Sequence, residues 1–311
     1  SGNVDGFGGH ANKETSTGNI FRGCRAWNNG DDGFDLINCY ASYIIEYCWS
    51  FRNGYKPHSI ESSGGNGAGF KSGGYGMGDI KKVPNPIPQH TVRYCLAYYN
   101  RQQGFYSNHH LGGLIFENNT AYKNPSNYNM LNRKSSNEAV DVPGYGHIIK
   151  NNLSLSPRNS GGFPQHLINV DNTLSEIKNN SFAPNDLNLS ESDFESLNEQ
   201  ELMGSRKSDG SLPDINFLRL TNHANFRFSG MGCFINEEAV DYSWIQEPAI
   251  VLENGVARIV GEDSKSFNKF YVNGEEVSIE NGIVDLTSMS GELNLKAISE
   301  NGAVTTLIIN K

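Results

Sequence analysis

The chain has 311 residues, 34 of them glycine, and a formal net charge of −9. This acidic balance argues against nucleic acid and anionic membrane as partners, because both require a basic face, and the sequence contains no apolar run long enough to span a membrane. A chain of this length can form one large core and a smaller module. Helix-favouring stretches are scarce before about residue 185, so we expect short strands and turns in that part.

A Gly-Phe pair recurs four times in the first part of the chain, and the residue after it differs each time. The pairs are Gly6-Phe7, Gly33-Phe34, Gly69-Phe70 and Gly104-Phe105, and the residues that follow them are Gly8, Asp35, Lys71 and Tyr106. Side chains alternate between the two faces of a strand. A buried phenylalanine column would therefore place the residues that follow together on the outer face.

A second repeat places a small thiol or an amide after each of six strand-like segments. This column reads Cys24, Cys48, Cys95, Asn119, Asn152 and Asn180. Stacking at one register predicts a ladder in which each asparagine hydrogen-bonds its neighbours in adjacent coils, with the cysteines as buried packing thiols. Repeats of irregular length, between roughly 20 and 50 residues, indicate a solenoid. Short alternating strands without helical periodicity make it a parallel β-helix, an all-β fold.

The chain is expected to have three parts. Residues 1–185 form the β-helix catalytic domain, residues 186–247 an irregular connecting segment, and residues 248–311 a small C-terminal antiparallel β module. Short helical turns are expected between Ser190 and Met203, where Ser and Asp can cap them. Asn-Gly dipeptides mark the hairpins of the last part: Asn254-Gly255, Asn273-Gly274, Asn281-Gly282 and Asn301-Gly302. Because the chain opens almost directly onto a repeat unit, we expect N-terminal coils to be missing.

Four aspartates gather around the first two Gly-Phe pairs. They are Asp5, Asp31, Asp32 and Asp35. Crowded carboxylates repel one another unless a cation offsets them, and an all-oxygen set suits calcium. Asp-Gly dipeptides are also common in solvated turns. The stacking of Asp5 one coil before Asp32 favours the calcium site.

Lys71 follows the third Gly-Phe pair and lies next to the acidic coil. A nearby calcium ion would disfavour the charged amine and lower its pKa. A neutral Lys71 could then remove a proton that the same ion activates. A single lysine on a β-helix face is by default a solvated surface residue, and only its place on this column favours a catalytic base.

Together these motifs resemble polysaccharide lyase family 9. The residues that carry the resemblance are Asp5-Gly6-Phe7, Gly18-Asn19-Ile20-Phe21-Arg22-Gly23, Asn28 to Leu36, and Gly69-Phe70-Lys71 with Gly73. Members of this family are right-handed parallel β-helices that cleave pectic polymers by calcium-assisted β-elimination. The resemblance covers residues 1–185 and implies Ca²⁺ as cofactor, the four aspartates as its ligands, Lys71 as the Brønsted base and an acidic pectic polysaccharide as substrate.

The segment after the fourth pair departs from the Asp- and Asn-rich run expected of the polygalacturonate-cleaving members. It reads Tyr106-Ser107-Asn108-His109-His110. A histidine pair is more often part of a turn or a core, but here His109 or His110 could contact a sugar or protonate the leaving oxygen. Aromatic side chains that could stack on sugar rings are Tyr106, Tyr47, Trp49 and Tyr55. The expected substrate contacts are therefore Tyr106, Asn108, His109, His110 and Tyr55. They favour rhamnogalacturonan I as substrate, with polygalacturonate as the alternative.

Two other functions remain open. Asp31 and Asp32 could be the acid and base of an inverting glycoside hydrolase on the same fold, although Lys71 then has no role. A calcium-stabilised, non-catalytic glycan-binding β-helix would need only the solenoid and the C-terminal module. For the lyase we expect a monomer that is secreted, periplasmic or attached to the cell surface.

Overall fold

The computed structural model divides the chain into two compact units, Ser1–Ile235 and Asn236–Lys311. Within them it describes residues 3–76, 83–158, 165–182, 187–235, 249–253, 255–260, 267–280, 282–300 and 304–311. In the part of the chain that the structure describes, no helix is both long and apolar enough to cross a membrane.

The first unit is a parallel β-helix made of three sheets, whose strands are numbered along the chain. Sheet A contains β1 (Phe7–Gly8), β4 (Phe34–Asp35), β7 (Phe70–Lys71), β10 (Phe105–Tyr106), β13 (Tyr128–Asn129) and β18 (Leu167–Ile168). Sheet B contains β2 (Asn19–Arg22), β5 (Tyr43–Glu46), β8 (Thr91–Arg93), β11 (Ile115–Glu117), β16 (Ile148–Lys150) and β19 (Glu176–Lys178). Sheet C contains β3 (Arg25–Trp27), β6 (Trp49–Phe51), β9 (Leu96–Tyr98), β12 (Thr120–Tyr122) and β17 (Leu153–Leu155). Each strand pairs in parallel with the strand one coil away, which confirms the predicted solenoid.

The Gly-Phe pairs form the inner column of sheet A, as predicted. Phe34, Phe70 and Phe105 are fully buried, and adjacent rings stack with centroids 4.9 and 5.0 Å apart. The glycines allow the coils to approach closely: a Cβ on Gly69 would lie 2.6 Å from the carbonyl oxygen of Gly104. The strand register places the next residues in a second column, which reads Gly8, Asp35, Lys71, Tyr106, Asn129 and Ile168.

The column after the sheet B strands forms the predicted ladder. Asn119 Oδ1 accepts from the backbone N–H of Cys95 at 3.0 Å. The backbone N–H and Nδ2 of Asn119 donate to Asn152 Oδ1, and Asn152 donates in the same way to Asn180. Cys95 is fully buried, whereas Cys24 is only half-buried, and the cysteines are free thiols. The ladder thus satisfies buried backbone groups at each turn from sheet B to sheet C.

A second asparagine ladder, which the sequence analysis did not predict, lines the turn from sheet C to sheet A. Asn53 Nδ2 donates to Asn100 Oδ1 at 2.9 Å, and Asn100 Nδ2 donates to Asn124 Oδ1 at 3.0 Å. Asn29 and Asn127 continue the ladder at either end. These side chains hold the start of each sheet A strand, where the Gly-Phe pairs lie.

Residues 187–235 cover the outer face of sheet C. They contain 3₁₀-helices at Glu191–Asp193 and Glu199–Met203, where short helical turns are expected, and the helix α1 (Asn222–Arg227). Phe217, among others, packs in one cluster with alternate residues of sheet C, namely Trp49, Phe51, Leu96, Tyr98, Tyr122, Leu153 and Leu155. The expected connecting segment is therefore part of the first compact unit up to residue 235. Trp49 is buried beneath it and offers no surface for a sugar ring.

A short antiparallel pair projects from the loop between sheets A and B. It consists of β14 (Asn132–Arg133) and β15 (Asp141–Val142), and it pairs Arg133 with Asp141. This hairpin lies outside the repeating coil pattern. A parallel bridge between Asn132 and His110 places it beside the turn that follows β10.

The second unit consists of antiparallel strands, as expected for the C-terminal module. One sheet contains β20 (Ala249–Glu253), β21 (Val256–Val260) and β24 (Ile283–Asp285), and the other contains β22 (Phe267–Val272), β23 (Glu275–Val277), β25 (Glu292–Ser299) and β26 (Val304–Asn310). Asn273 and Gly274 form the predicted turn between β22 and β23, with φ values of 52° and 87°. The other three Asn-Gly dipeptides include residues that lie outside the described ones.

Candidate active site and metal centre

Three carboxylates meet at the outer column of sheet A. Asp35 lies on β4, Asp32 in the turn that precedes it, and Asp5 in the corresponding turn one coil earlier. Each offers one oxygen within 4.8 Å of the others. Asp32 is fully buried and Asp35 is 4% exposed, so this is not a solvated cluster of turn aspartates.

Backbone N–H groups fix one oxygen of each carboxylate. Asp5 Oδ1 accepts from the N–H of Asp32 at 3.0 Å, and Asp32 Oδ1 accepts from the N–H of Ala68 at 2.7 Å. Asp35 Oδ1 accepts from the N–H of Ile37 at 2.7 Å. The second oxygen of each carboxylate makes none of these contacts, so the backbone orients the cluster and leaves oxygens for another ligand.

Lys71 extends from β7 into this cluster. Its Nζ lies 2.9 Å from Asp35 Oδ2 and 3.2 Å from Asp32 Oδ2. Burial acts to lower the pKa of Lys71, but the charges of Asp35 and Asp32 outweigh it and raise the pKa above its usual value. The lowered pKa that the sequence predicts depends on a nearby calcium ion; with protein charges alone the pKa is raised, because both carboxylates stabilise the ammonium form.

The donor set fits a hard divalent cation. Burial, with help from Asp31 and Asp35, raises the pKa of Asp32 to about 7, and burial followed by Asp35 raises the pKa of Asp5. Among the residues that the structure describes, Asp32 Oδ2 has no hydrogen-bond partner and only the ion-pair contact with Lys71. A raised pKa and an oxygen without a hydrogen-bond donor show that the surrounding protein does not fully stabilise the ionised carboxylates. Ca²⁺ binds carboxylate oxygens and would supply the stabilising positive charge.

Asp31 points to a different part of the molecule. Its Oδ1 accepts from the backbone N–H groups of Asn66 and Gly67, in the long loop between β6 and β7. Asp31 therefore holds this loop against the turn that carries Asp32. The fourth predicted ligand is close enough to add negative charge, but it is not one of the three carboxylates that converge.

Tyr106, the next residue in the outer column, belongs to a hydrogen-bonded series of side chains that the sequence does not predict. Its Oη lies 2.8 Å from His109 Nε2, and His109 Nδ1 lies 2.7 Å from Asp141 Oδ1. Arg133 Nη1 donates to the same Asp141 oxygen at 2.8 Å. Asp141 follows His109 by 32 residues on the β14–β15 hairpin, so no repeat or local motif connects them.

The other three expected substrate contacts are buried inside the protein. His110 is fully buried; its Nδ1 accepts from the N–H of Gly74 and its Nε2 lies 3.0 Å from the carbonyl oxygen of Pro88. Asn108 is 9% exposed and donates to the carbonyl oxygen of Gly73. The third, Tyr55, is 7% exposed. These side chains pack within the loops around sheet A, and their expected contact with a sugar stays a prediction.

Comparison with known proteins gives the family. Residues 1–181 match the family model described as Pel9A-like, right handed beta helix region. The chain belongs to this family. Residues 171–306 match a second model, described as Rhamnogalacturonan lyase-like, C-terminal. The Pel9A-like match spans the aspartates, Lys71 and the Tyr106–His109–Asp141 chain.

Named relatives of this Pel9A-like protein are lyases of pectic polymers. Pectate lyase L of Dickeya chrysanthemi is 35% identical over 240 residues, which cover 77% of this chain and 48% of the relative. A solved rhamnogalacturonan lyase is 55% identical with a TM-score of 0.68, covering 75% of this chain and 56% of that one. The crystal structure of pectate lyase Pel9A is 35% identical with a TM-score of 0.53, covering 70% and 47%. The chain spans about half the length of these relatives.

Proposed function

We propose that this protein is a calcium-dependent pectic polysaccharide lyase that cleaves rhamnogalacturonan I by β-elimination. The observation that carries the proposal is the convergence of Lys71 with three backbone-oriented carboxylates on one face of a Pel9A-like β-helix. A lysine can act as the general base that removes a proton next to a carboxylate, and a group of carboxylates can hold the cation that stabilises the charge formed there.

In this mechanism Lys71 acts as the Brønsted base. It lies on the outer column of sheet A, between Asp35 and Tyr106 on the neighbouring strands. Its amine, once neutral, removes the C5 proton of a galacturonate, and its contacts with Asp32 and Asp35 hold the side chain in place. Precise placement of a reacting group of this kind contributes several kcal/mol to catalysis.

Asp5, Asp32 and Asp35 would hold the calcium ion, with Asp31 ordering the adjoining loop. When bound, Ca²⁺ would offset the carboxylate charges that keep Lys71 protonated and would withdraw electron density from the substrate carboxylate, which acidifies C5–H. The protein's own part is to orient the carboxylates through the N–H groups of Asp32, Ala68 and Ile37.

Rhamnogalacturonan I is the proposed polymer, and polygalacturonate is the second candidate. The match of residues 171–306 to a rhamnogalacturonan lyase-like model and the 55% identity to a rhamnogalacturonan lyase support the first. The relatives named pectate lyase support the second. A polymer of this size is degraded outside the cytoplasm, so we propose that the protein acts extracellularly, in the periplasm or at the cell surface.

An inverting glycoside hydrolase is less well supported. Its acid and base would be Asp31 and Asp32, but Asp31 accepts from two backbone N–H groups of the β6–β7 loop. Asp32 is fully buried and its Oδ2 pairs with Lys71. The positions of these two carboxylates therefore favour the lyase.

Product analysis tests the proposal. The protein is incubated separately with rhamnogalacturonan I and with polygalacturonate, with and without a calcium chelator. The lyase predicts ultraviolet absorbance from a C4–C5 double bond, on rhamnogalacturonan I first, and loss of that signal with chelator. New reducing ends without absorbance would indicate hydrolysis, and binding without cleavage would indicate a non-catalytic β-helix. Either result would overturn the proposal.

A further inference from the structure

Elimination from a galacturonate requires a second proton transfer that Lys71 does not provide. As the C5–H bond breaks, its electron pair forms the C4–C5 double bond, and the electrons of the C4–O bond leave with O4. The departing oxygen then needs a proton. The C5 hydrogen and O4 lie on opposite faces of the galacturonate ring, so a base placed at C5–H is not placed to protonate O4. A separate donor, either a side chain or a water molecule, must therefore reach O4.

Tyr106 lies next to Lys71 on the outer column of sheet A. The strand register pairs the two residues, and neighbouring strands are about 4.8 Å apart. The two side chains have different partners, because Lys71 Nζ contacts Asp32 and Asp35 whereas Tyr106 Oη contacts His109. A sugar on sheet A can therefore meet an amine from one coil and a phenol from the next.

His109 and Asp141 fix the orientation of the phenol. An ionised carboxylate only accepts hydrogen bonds, so His109 Nδ1 carries a hydrogen and donates it to Asp141. His109 Nε2 then has no hydrogen and accepts from the Tyr106 hydroxyl, which fixes the phenol beside His109. Arg133 is 12% exposed and pairs with Asp141 at 2.8 Å, which holds the carboxylate on the β14–β15 hairpin. Burial, with a contribution from Asp141, raises the pKa of Tyr106 to about 12, so the hydroxyl is protonated near neutral pH.

We propose that Tyr106 is the general acid of the elimination, and that His109 and Asp141 are positioning residues that hold its phenol and return its proton. The inference rests on the proposed lyase function. As the C4–O bond breaks, the Tyr106 hydroxyl turns from His109 Nε2 to O4, transfers its proton and becomes a phenolate. His109 Nε2 takes a proton from solvent and passes it to the phenolate, and Lys71 releases the C5 proton to solvent, so all three groups return to their starting states.

Tyr106→Phe tests the acid with two substrates. One is a rhamnogalacturonan I oligosaccharide, whose leaving group is a rhamnose oxygen; the other is a galacturonate that carries 4-nitrophenoxide at C4, which leaves without protonation. We expect kcat on the oligosaccharide to fall about a hundredfold or more, with KM changed less than about threefold, and the rate on the nitrophenyl compound to stay within about fivefold. Tyr94→Phe, on the turn between sheets B and C, is the matched control and should retain activity on both.

The positioning residues are tested by chemical rescue. His109→Ala should lower kcat on the oligosaccharide, and added imidazole should restore part of the lost rate, which a purely structural role would not permit. Asp141→Asn should lower kcat more than it changes KM. The proposal is overturned if kcat of Tyr106→Phe on the oligosaccharide stays within about fivefold of the wild-type value. It is also overturned if the variant loses the same factor in rate on both substrates.

Lys71→Ala tests the proposed base independently of the proposed acid, Tyr106. If the base is correctly assigned, this variant loses activity on both substrates, because both require removal of the C5 proton. If it retains activity, the proposed base fails irrespective of the outcome for Tyr106. Melting temperatures of all variants, measured in the same buffer, show whether each remains folded.

Discussion

At the scale of single residues, the charge balance of the site favours the proposed calcium ion. Three converging carboxylates and one ammonium leave two negative charges, in surroundings where Asp32 is fully buried. Burial, together with the charges of Asp31 and Asp35, raises the pKa of Asp32 to about 7. A divalent cation supplies the missing charge without a change of fold.

Asp32→Asn is predicted to remove the response of stability to calcium. In the wild type, Ca²⁺ at a hundred times its dissociation constant should stabilise the folded state by about 2.7 kcal/mol and raise the melting temperature. Asn keeps the size of Asp32 and an oxygen to accept from Ala68 N–H, but it lacks the charge, so most of the rise should disappear. Thermal melts with calcium and with chelator measure this difference.

Asp31→Asn is the matched control for that measurement. Its oxygen can still accept from the N–H groups of Asn66 and Gly67, and it lies outside the converging set. The calcium-induced rise should therefore be largely retained. If Asp32→Asn keeps the full calcium-induced rise in melting temperature, the calcium site is contradicted. If Asp31→Asn loses as much of the rise as Asp32→Asn, Asp31 is also a ligand, as the family resemblance implies.

Two residues that are adjacent in the sequence can lie in different environments in the structure. His109 and His110 cannot be told apart by motif, yet His109 contacts Tyr106 on the outer column and His110 is fully buried. Their backbone positions decide this, since successive residues of a tight turn face different sides. Asp141 could not be found from the sequence at all, because a hairpin of no repeating pattern brings it to His109.

At the scale of elements, the stacked columns of the β-helix are the part of the fold that the sequence predicts. Strands pair with the strand one coil away, so a repeat in the sequence gives the register directly, and the Phe34–Phe70–Phe105 and Cys95–Asn119–Asn152 columns follow from spacing alone. The Asn53–Asn100–Asn124 ladder has the same spacings, 47 and 24 residues, as the Cys48–Cys95–Asn119 column five residues before it, so the same repeat contains it.

Asn119→Ala is predicted to destabilise the β-helix strongly. Its side chain accepts from Cys95 N–H and donates to the carbonyl oxygen of Val92 and to Asn152, all within the core. Each buried group left without a partner costs about 1–3 kcal/mol, so we expect a loss of about 3–5 kcal/mol in the free energy of unfolding. Urea unfolding measures this loss.

Asn137→Ala provides the comparison for the ladder variant. Asn137 lies in an exposed loop, and its side chain has no role in either ladder. Its substitution should change the free energy of unfolding by less than about 0.5 kcal/mol. A loss of similar size in both variants would contradict the importance assigned to the ladder.

At the scale of the whole molecule, the cover on sheet C could not be predicted from the repeats. Residues 187–235 have no repeat of their own, and only the buried cluster of Phe217 with Tyr98 and Tyr122 shows where they pack. This cover buries Trp49, which the sequence presents as a sugar-stacking surface, whereas Lys71 and Tyr106 lie on sheet A.

Buried histidines are predicted to make the β-helix acid-labile. Burial lowers the pKa of His110 and His147 to about 4, from 6.5. Between these values the unfolded chain binds more protons than the folded one, so this contribution to stability is present above pH 6.5 and is lost as the pH falls towards 4. Asp32, with its raised pKa, acts in the opposite direction over the same range.

His147→Asn isolates the histidine effect. Asn can still accept from the N–H of Leu114, as His147 Nδ1 does, but it does not titrate. The dependence of the unfolding free energy on pH, measured in urea between pH 4.5 and 6, should be shallower than in the wild type by about 1 kcal/mol per pH unit. An unchanged slope would contradict the buried neutral state of His147.

Removal of the C5 proton by Lys71 is tested most directly by the rate of double-bond formation in Lys71→Ala. With saturating calcium and rhamnogalacturonan I, the ultraviolet signal should form at least about a hundredfold more slowly than in the wild type. The calcium-induced rise in melting temperature should persist, and Lys134→Ala, at an exposed lysine, should retain full activity. A folded, calcium-responsive Lys71→Ala protein that forms the double bond at the wild-type rate would contradict the assignment of Lys71 as the base.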